Sequence, residues 1–466
     1  MIPSTLGEHQ NSGMQSEGWS SQRLYRPFVR ASLIIAVVLG FSTGATILIM
    51  PVLGMDRNLT WVTHSQSHGV VQLFGWVGLF VMGFAYHVVP RFFNSPIRYP
   101  LPQKVSMWLV VLGLVLRFTG QSVYKTTFGD PLVLAGGILL FAGLLVFGWT
   151  LLEVVRRAPS RSGVSEMWAM SGIFWAVLAG ALHLTVTLRM AIDSAPLADA
   201  GWNEALIYVA TFGFVSSFIF AVSARAVRGF LLLKPMYERV NLVAVAGVQF
   251  GLVVLVVSRF ADLTEGVAST GLILAALGVV LYVYSLRVLE PASGPVRRFA
   301  VGYERYNLLV RSAYGWLVVG CAMLIVTALD DAGVTDVMPA EVSLPVMHVF
   351  TLGFITTLLF GVASKMLPIF EGADIHHPRL MDIAYVFVTI SVILRVVFGF
   401  SISAIGEQAL AVSGGVGFIG ICLFAIVAFQ TMTEAARASY AVRAAEFGQV
   451  RFDQARRPTS SPLNLK

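Results

Sequence analysis

Charged side chains are scarce in this chain. Aspartate, glutamate, lysine and arginine make up 12% of its 466 residues, whereas apolar and aromatic types make up 56%. A soluble domain carries about a quarter charged residues, so the composition excludes an ordinary soluble fold and predicts a protein that crosses a membrane many times. We attribute the net charge of +7 to an asymmetry between loops rather than to nucleic-acid binding.

Cysteine is almost absent, and histidine is missing from one long interval. The two cysteines, Cys321 and Cys422, lie within apolar runs and exclude a disulfide framework. No histidine occurs between His183 and His348. No small-residue cleavage site follows the first apolar run, which is also too long for a signal peptide, so we interpret that run as the first membrane span.

Twelve apolar runs are long enough to cross a bilayer, since a helical span needs about 20 residues. We predict an all-α membrane protein with a polar tail at 1–26, a transmembrane domain at 27–435 and a basic tail at 436–466. The predicted spans are 29–53, 67–92, 104–125, 131–155, 165–191, 203–229, 240–262, 267–289, 308–329, 342–369, 380–402 and 408–434.

The basic and acidic connections alternate along the chain. Lysine and arginine cluster in the first tail and after the second, fourth, sixth and eighth predicted spans, whereas the connections after the fifth, seventh and ninth spans are acidic. Positively charged loops stay in the cytoplasm. We therefore expect both termini in the cytoplasm, the acidic loops outside, and a multi-pass protein of the bacterial inner membrane.

An internal repeat groups the spans in fours. The segment that begins at Gly75 aligns with one at Gly353, at an offset of 278 residues, and with a weaker copy at Gly213, at an offset of 138. The third, seventh and eleventh spans each contain one arginine, namely Arg117, Arg259 and Arg395. We predict three four-helix units related by pseudo-threefold symmetry, at about 27–157, 163–292 and 303–435.

Four histidines fall near the predicted outer ends of spans: His64, His68, His183 and His348. His68 lies seven residues before its repeat glycine and His348 five before its own, so their depths differ by about 3 Å. Two neutral imidazoles at one depth in an apolar slot suit the axial positions of a haem iron. The alternative is that they are interfacial or structural histidines bonded to backbone carbonyls.

His64 and His68 are four residues apart and project from one helix face. Such a pair suits copper or zinc, with His183 as the nearest further imidazole; a water-mediated interfacial pair is the alternative.

The three arginines lie in the outer halves of their predicted helices, where a guanidinium needs an anion or a water-filled pocket. Haem propionates would serve through charge-assisted hydrogen bonds. Pairing with backbone carbonyls, or with an acid such as Glu204 or Glu341, would serve equally well.

Several stretches resemble known families. In span two they run from His68 to Trp76 and from Tyr86 to Phe92. In span ten they run from Met347 to Gly353 and from Met366 to Pro368, and Asn203-Glu204-Ala205 begins span six. These stretches are similar to the NnrS family of haem- and copper-associated membrane proteins linked to nitric oxide, over nearly the whole membrane part. One departure is Val70, where the family pattern has a second histidine.

The arrangement of spans also resembles the catalytic subunit of haem–copper oxidases. That superfamily has twelve spans in three four-helix arcs and places a low-spin haem between spans two and ten. It also requires copper-ligating histidines on spans six and seven, which this chain lacks.

The resemblance implies a protein that binds haem b, with copper as a further metal, and acts in nitric oxide tolerance or respiratory electron transfer. His68 and His348 would be the axial ligands. His64 is the third candidate metal ligand, and the other cofactor-binding candidates are His183, Arg117, Arg259 and Arg395. Other respiratory-complex subunits are the implied partners. We assign no catalytic residue; any activity would be that of a haem-dependent oxidoreductase acting on nitric oxide or a related small species.

Two other functions suit the sequence. Twelve spans with repeats and intramembrane arginines are also typical of a secondary transporter for a small anion, although most carriers show twofold repeats. The chain could also be a cofactor-free membrane subunit of a larger complex. A visible spectrum of the detergent-purified protein separates these hypotheses, because only the first predicts a haem band.

Overall fold

A computed structural model describes residues 23–159, 163–293, 305–336, 343–400, 403–433 and 437. Within those ranges every regular element is a helix and no strand occurs, which confirms the all-α prediction. Of the two predicted tails, residues 1–22 and most of 436–466 lie outside the described residues.

Among the described residues, twelve helices are long and apolar enough to cross a membrane, the number that the sequence predicts. They are α1 (Tyr25–Ile49), α2 (Leu59–Phe92), α3 (Leu101–Ser122), α4 (Gly129–Arg156), α5 (Val164–Ile192), α6 (Ala200–Phe230), α7 (Glu238–Phe260), α8 (Glu265–Leu286), α9 (Tyr306–Asp331), α10 (Pro345–Glu371), α11 (Pro378–Phe398) and α12 (Ala404–Thr431).

Helix α2 is longer than the sequence predicts. It begins at Leu59 rather than near residue 67, and the side-chain oxygen of Asn58 caps it by accepting from two backbone N–H groups of the first turn. The first turns are too polar to be recognised as part of an apolar run. Their polar groups bond within the protein instead, as where the Ser67 hydroxyl donates to Gln121 Oε1 at 2.5 Å. His68 therefore lies nine residues after the start of α2 instead of at its first turn.

Helices α2, α6 and α10 form the centre of the bundle. In their most apolar windows 89%, 89% and 83% of residues are buried, against 33–56% in the other nine spans. Each contains a π-helical segment, at Val71–Gly78, Val209–Val215 and Val349–Thr356, and α6 has a second one at Ser223–Val227. Such segments are rare and often accompany functional sites. Those of α2 and α10 begin within three residues of His68 and His348.

Helices α3 and α4 approach each other closely through small residues. A Cβ at Gly136 would lie 2.6 Å from the backbone nitrogen of Arg117, so only glycine allows this contact. Close backbone approach of this kind stabilises helix pairs in membranes, where apolar burial supplies little driving force. It also fixes the position of Arg117, which faces the interior of the bundle.

The two described ends of the chain meet at one buried carboxylate. Glu371, at the end of α10, accepts from the Tyr25 hydroxyl at 2.7 Å and from Arg26 Nε at 2.5 Å. Arg437, near the other end of the chain, donates to the same carboxylate at 3.1 Å. Both ends of the helical bundle therefore lie on the same side as the end of α10.

Candidate functional site

Two cavities meet at the histidines of α2 and α10. The larger, of about 220 Å³, is lined by α1, α2, α6, α10 and α11, and we call it the histidine cavity. A second, of about 120 Å³, lies beside it. Five residues contribute to the lining of both cavities: Gly44, Ser65, His68, His348 and Arg395. The fold thus brings together two histidines that are 280 residues apart in the sequence.

His68 is held by the first helix. Its Nδ1 lies 2.9 Å from the carbonyl oxygen of Gly40. Because a carbonyl can only accept, Nδ1 carries the proton and Nε2 keeps a lone pair. One turn further along α1, a Cβ at Gly44 would lie 2.5 Å from Cε1 of His68. The imidazole therefore packs against Gly44, with its tautomer and orientation set by the Gly40 carbonyl, as is usual for metal-ligating histidines.

His348 is held by α11. Nη1 of Arg395 lies 2.8 Å from Nε2 of His348. A guanidinium can only donate, so this Nε2 is also an unprotonated acceptor. Arg395 is 9% exposed and lines both cavities. The site therefore presents two neutral imidazoles, each with a lone pair on Nε2, and one buried cation.

A further polar atom lies in the histidine cavity. Gln72, one turn after His68, has its Oε1 buried without a hydrogen-bond partner among the described residues. Beside it, Trp76 Nε1 donates to Thr356 Oγ1 at 3.1 Å and joins α2 to α10. Most of the remaining lining is apolar. Gln72 thus offers an acceptor to a ligand within a largely apolar cavity.

His64 lies apart from this site. Its Nδ1 is 2.7 Å from the carbonyl oxygen of Thr60, and its ring meets Phe118 edge-on at 6.3 Å between centroids. It lines neither of the two cavities. Across the described part of the chain, no group of three or more histidine, cysteine, aspartate or glutamate residues is arranged to hold a metal ion.

The three arginines have different surroundings, and of these only Arg395 lines the histidine cavity. Arg259 Nη2 donates to Glu204 at 2.8 Å and its Nη1 to Glu265 at 2.6 Å. The acid-pairing alternative therefore describes Arg259. Arg117 is buried beside Met190 of α5, at a distance of 3.5 Å from its sulfur, and lines neither cavity.

His183 is fully buried in α5 and also lines neither cavity. Its ring centroid is 5.7 Å from that of Phe74, which lines the histidine cavity. Phe74 thus separates His183 from His68 and His348. The structure places His183 with Arg117 instead of with the paired histidines.

The donor set fits a haem better than it fits copper. A haem between two helices needs two neutral imidazoles in an apolar slot and cations for its carboxylates, and His68, His348 and Arg395 provide these groups. Because Arg395 donates to Nε2 of His348, Arg395 would have to release this nitrogen if it were to hold an iron, and its guanidinium could then bind a haem carboxylate.

Sequence reasoning missed the residues that support His68. Gly40 and Gly44 are four apart in α1, a small-residue spacing that allows close helix packing, and this signal could have identified them. Gln72 lies four residues after His68 on the same face, so the same helical periodicity points to it.

Comparisons with known proteins agree with this architecture. Among solved structures, the chain is similar to a heme-copper terminal oxidase dimer determined by cryo-EM, with a TM-score of 0.67 and 14% identity, over 88% of this chain and 84% of that one. At this identity the likeness shows the fold alone. No curated protein matches the chain. Residues 25–435 match the sequence model of the family described as NnrS protein. The chain therefore belongs to the NnrS family and has a twelve-helix membrane fold like that of a haem–copper oxidase.

Proposed function

We propose that this protein binds haem b between α2 and α10, with His68 and His348 as its axial ligands. The observation that carries the proposal is that both imidazoles line the same two cavities, each with Nε2 as an acceptor. A cavity wall with two such nitrogens from different helices is what a metal held from both sides requires.

The protein groups around the site have separate tasks in this account. The Gly40 carbonyl fixes the tautomer of His68, and Gly44 leaves room for its ring. Arg395 would bind the haem carboxylates, and the apolar lining would limit access of water. A haem held by two imidazoles supplies one-electron transfer. We therefore propose a role in nitric oxide tolerance or respiratory electron transfer, alone or as a subunit of a larger respiratory assembly.

Copper is the secondary part of the proposal. His64 donates Nδ1–H to the Thr60 carbonyl at 2.7 Å and keeps a lone pair on Nε2, as His68 does, but it lines neither of the cavities that His68 lines. The chain has no histidine between His183 and His348, the interval that contains α6, α7 and α8. These facts favour a haem protein without the catalytic copper of the oxidases.

We also propose that the bundle consists of three four-helix units. The π-helical segments of the central helices begin at Val71, Val209 and Val349. Their offsets, 138 and 278 residues, equal those of the repeated glycines in the sequence. The backbone irregularity thus recurs in step with the sequence repeat, which supports a common origin of the three units.

The proposed topology has both termini in the cytoplasm of a bacterium, with the protein in the inner membrane. The basic connections support this orientation. So does the meeting of Tyr25, Arg26 and Arg437 at the Glu371 carboxylate, because it requires both chain ends on one side.

Haem analysis of the purified full-length protein tests the proposal. We expect about one haem b for each chain, assayed as the pyridine complex together with metal analysis, and a large loss of haem in His68→Ala and in His348→Ala. His376→Ala, in the connection before α11, is the matched control and should retain its haem. A colourless wild-type protein, or full haem content in both variants, would contradict the proposal and favour the anion transporter.

A further inference from the structure

Among the described residues, Arg117 is a buried cation with no carboxylate partner. Its side chain lies in α3 and is 2% exposed. Nη2 reaches the sulfur of Met190 at 3.5 Å, whereas Nε and Nη1 have no hydrogen-bond partner among the described residues. Arg259, at the equivalent repeat position, differs because it has two acidic partners.

His183 is a second buried donor beside it. The imidazole is fully buried in α5, and neither of its ring nitrogens has a partner in the described part of the protein. It belongs to the same helix as Met190, whose sulfur Arg117 contacts, and the charge of Arg117 acts on its ring. Thr187, one turn along, donates its hydroxyl to the His183 carbonyl at 3.1 Å and makes no hydrogen bond to the His183 ring.

The chemistry of the pair indicates what binds there. Arginine stays protonated when it is buried, and an unpaired charge in an apolar interior is strongly unfavourable. The pair offers two guanidinium nitrogens, Nε and Nη1, and one imidazole N–H as donors. A water molecule could accept from these donors but would leave the positive charge uncompensated, whereas an anion satisfies both requirements.

A polar path leads toward this position from the outer end of α3. Gln121, one turn after Arg117, donates from Nε2 to the carbonyl of Pro196 at 3.0 Å and to Gln66 at 3.2 Å. Gln66 in turn bonds to the backbone of Ala198. Hydrogen-bonding groups therefore extend from the connection between α5 and α6 to the turn next to Arg117.

We propose that Arg117 and His183 bind a small monovalent inorganic anion, a halide or an oxoanion of similar size, between α3 and α5. The anion accepts hydrogen bonds from Nε and Nη1 of Arg117 and from one ring nitrogen of His183. Phe74 separates the site from the histidine cavity. The proposal does not rest on haem binding.

Crystals of the full-length protein, soaked in bromide, test the site directly. We expect an anomalous peak in contact with both side chains. In parallel, chloride is titrated into protein kept in a gluconate buffer of constant ionic strength. The midpoint of thermal unfolding, Tm, should rise by roughly 1–3 °C for each tenfold increase of chloride above its dissociation constant, since a ligand of the folded state stabilises it by mass action.

Variants assign the effect to the pair. Arg117→Met and His183→Phe should lose the dependence of Tm on chloride, and Arg117→Lys, which keeps the charge, should retain part of it. Arg259→Gln is the matched control, which should lower Tm at every chloride concentration without changing that dependence. Wild-type protein with no bromide peak, or with ordered water alone at the site, and a Tm that is independent of chloride would overturn the proposal even if the variants fail to fold.

Discussion

The guanidinium of Arg395 lies 2.8 Å from Nε2 of His348 and donates to it. The same nitrogen is the one that would ligate an iron between α2 and α10. Metal binding by His348 and the position of the Arg395 cation are therefore linked, because Arg395 would have to turn away before His348 could bind a metal. A haem carboxylate would be the acceptor that replaces His348 for the displaced cation.

Replacement of Arg395 should weaken the retention of haem. In Arg395→Met the carboxylates would lose a charge-assisted partner, worth about 1.5–3 kcal/mol, so haem should dissociate about 10–100 times faster. Haem should dissociate from Arg395→Lys at a rate between those of Arg395→Met and the wild type. The measurement is the rate of haem transfer to an excess of apomyoglobin. Equal rates in wild type and Arg395→Met would exclude Arg395 from the haem site.

A methyl group at Gly44 should displace His68. The Cβ of Gly44→Ala would lie 2.5 Å from Cε1 and 3.1 Å from Nε2 of the imidazole, so the ring or α1 has to move. We expect a clear loss of bound haem from the purified variant. Gly69→Ala is the matched control, because Gly69 lines the same cavity but its added Cβ would meet nothing within 4 Å. Equal haem content in the two variants would argue against the described position of His68.

Loss of Arg259 should reduce stability without affecting haem. Arg259→Met leaves Glu204 without its partner from α7, and with both groups partly screened by solvent we expect a loss of about 1–3 kcal/mol. Thermal unfolding measures this loss. Glu265→Gln, which removes the more exposed partner, should cost less than about 1 kcal/mol. A drop in haem content in Arg259→Met would instead return this residue to the cofactor site.

We expect the local stability of the connection after α8, which lies outside the membrane spans, to depend on pH. Arg287 holds Glu290 in a two-point ion pair at 2.8 and 2.9 Å, Lys234 adds a third contact, and together they lower the pKa of Glu290 to about 2 from its ordinary value of 4.5. Because the folded-state pKa is depressed, this stabilisation is present above pH 4.5 and is lost as the pH falls toward 2.

Hydrogen exchange of residues 232–293 measures how much local stability this ion cluster provides. Exchange, corrected for its intrinsic pH dependence, should increase in the wild type between pH 5 and pH 3, because this interval contains roughly the upper half of the range between the ordinary pKa of 4.5 and the folded-state pKa of about 2 over which the stabilisation is lost. In Glu290→Gln it should already be high at pH 7 and should change little. The same increase in both proteins would show that another group is responsible.

The number of helices and the meeting of His68 with His348 follow from the sequence. Both predictions depend on patterns of long range, namely apolar length and a repeat that gives two helices equivalent positions. A similar repeat predicted one role for Arg117, Arg259 and Arg395. The structure separates them, because the acids near Arg259 come from α6 and α8 and nothing in the repeat specifies which partner each arginine meets.

The π-helical segments and the backbone carbonyl that holds His68 were beyond prediction from periodicity. A π-helical segment changes the direction of every later side chain on its helix, and the apolar runs of α2 and α10 give no sign of one. The position of His68 depends on the Gly40 carbonyl, a backbone group that every residue type would offer. Only the close approach of α1 to α2, which Gly44 permits, brings that carbonyl within reach.

Electron paramagnetic resonance of the oxidised, full-length protein tests the central claim most directly, because it reports the ligands on both faces of an iron. We predict a low-spin ferric signal typical of two imidazoles in the wild type. In His68→Ala and in His348→Ala the haem should be lost or give a high-spin signal. A wild-type protein without a low-spin signal, or an unchanged signal in both variants, would contradict the account.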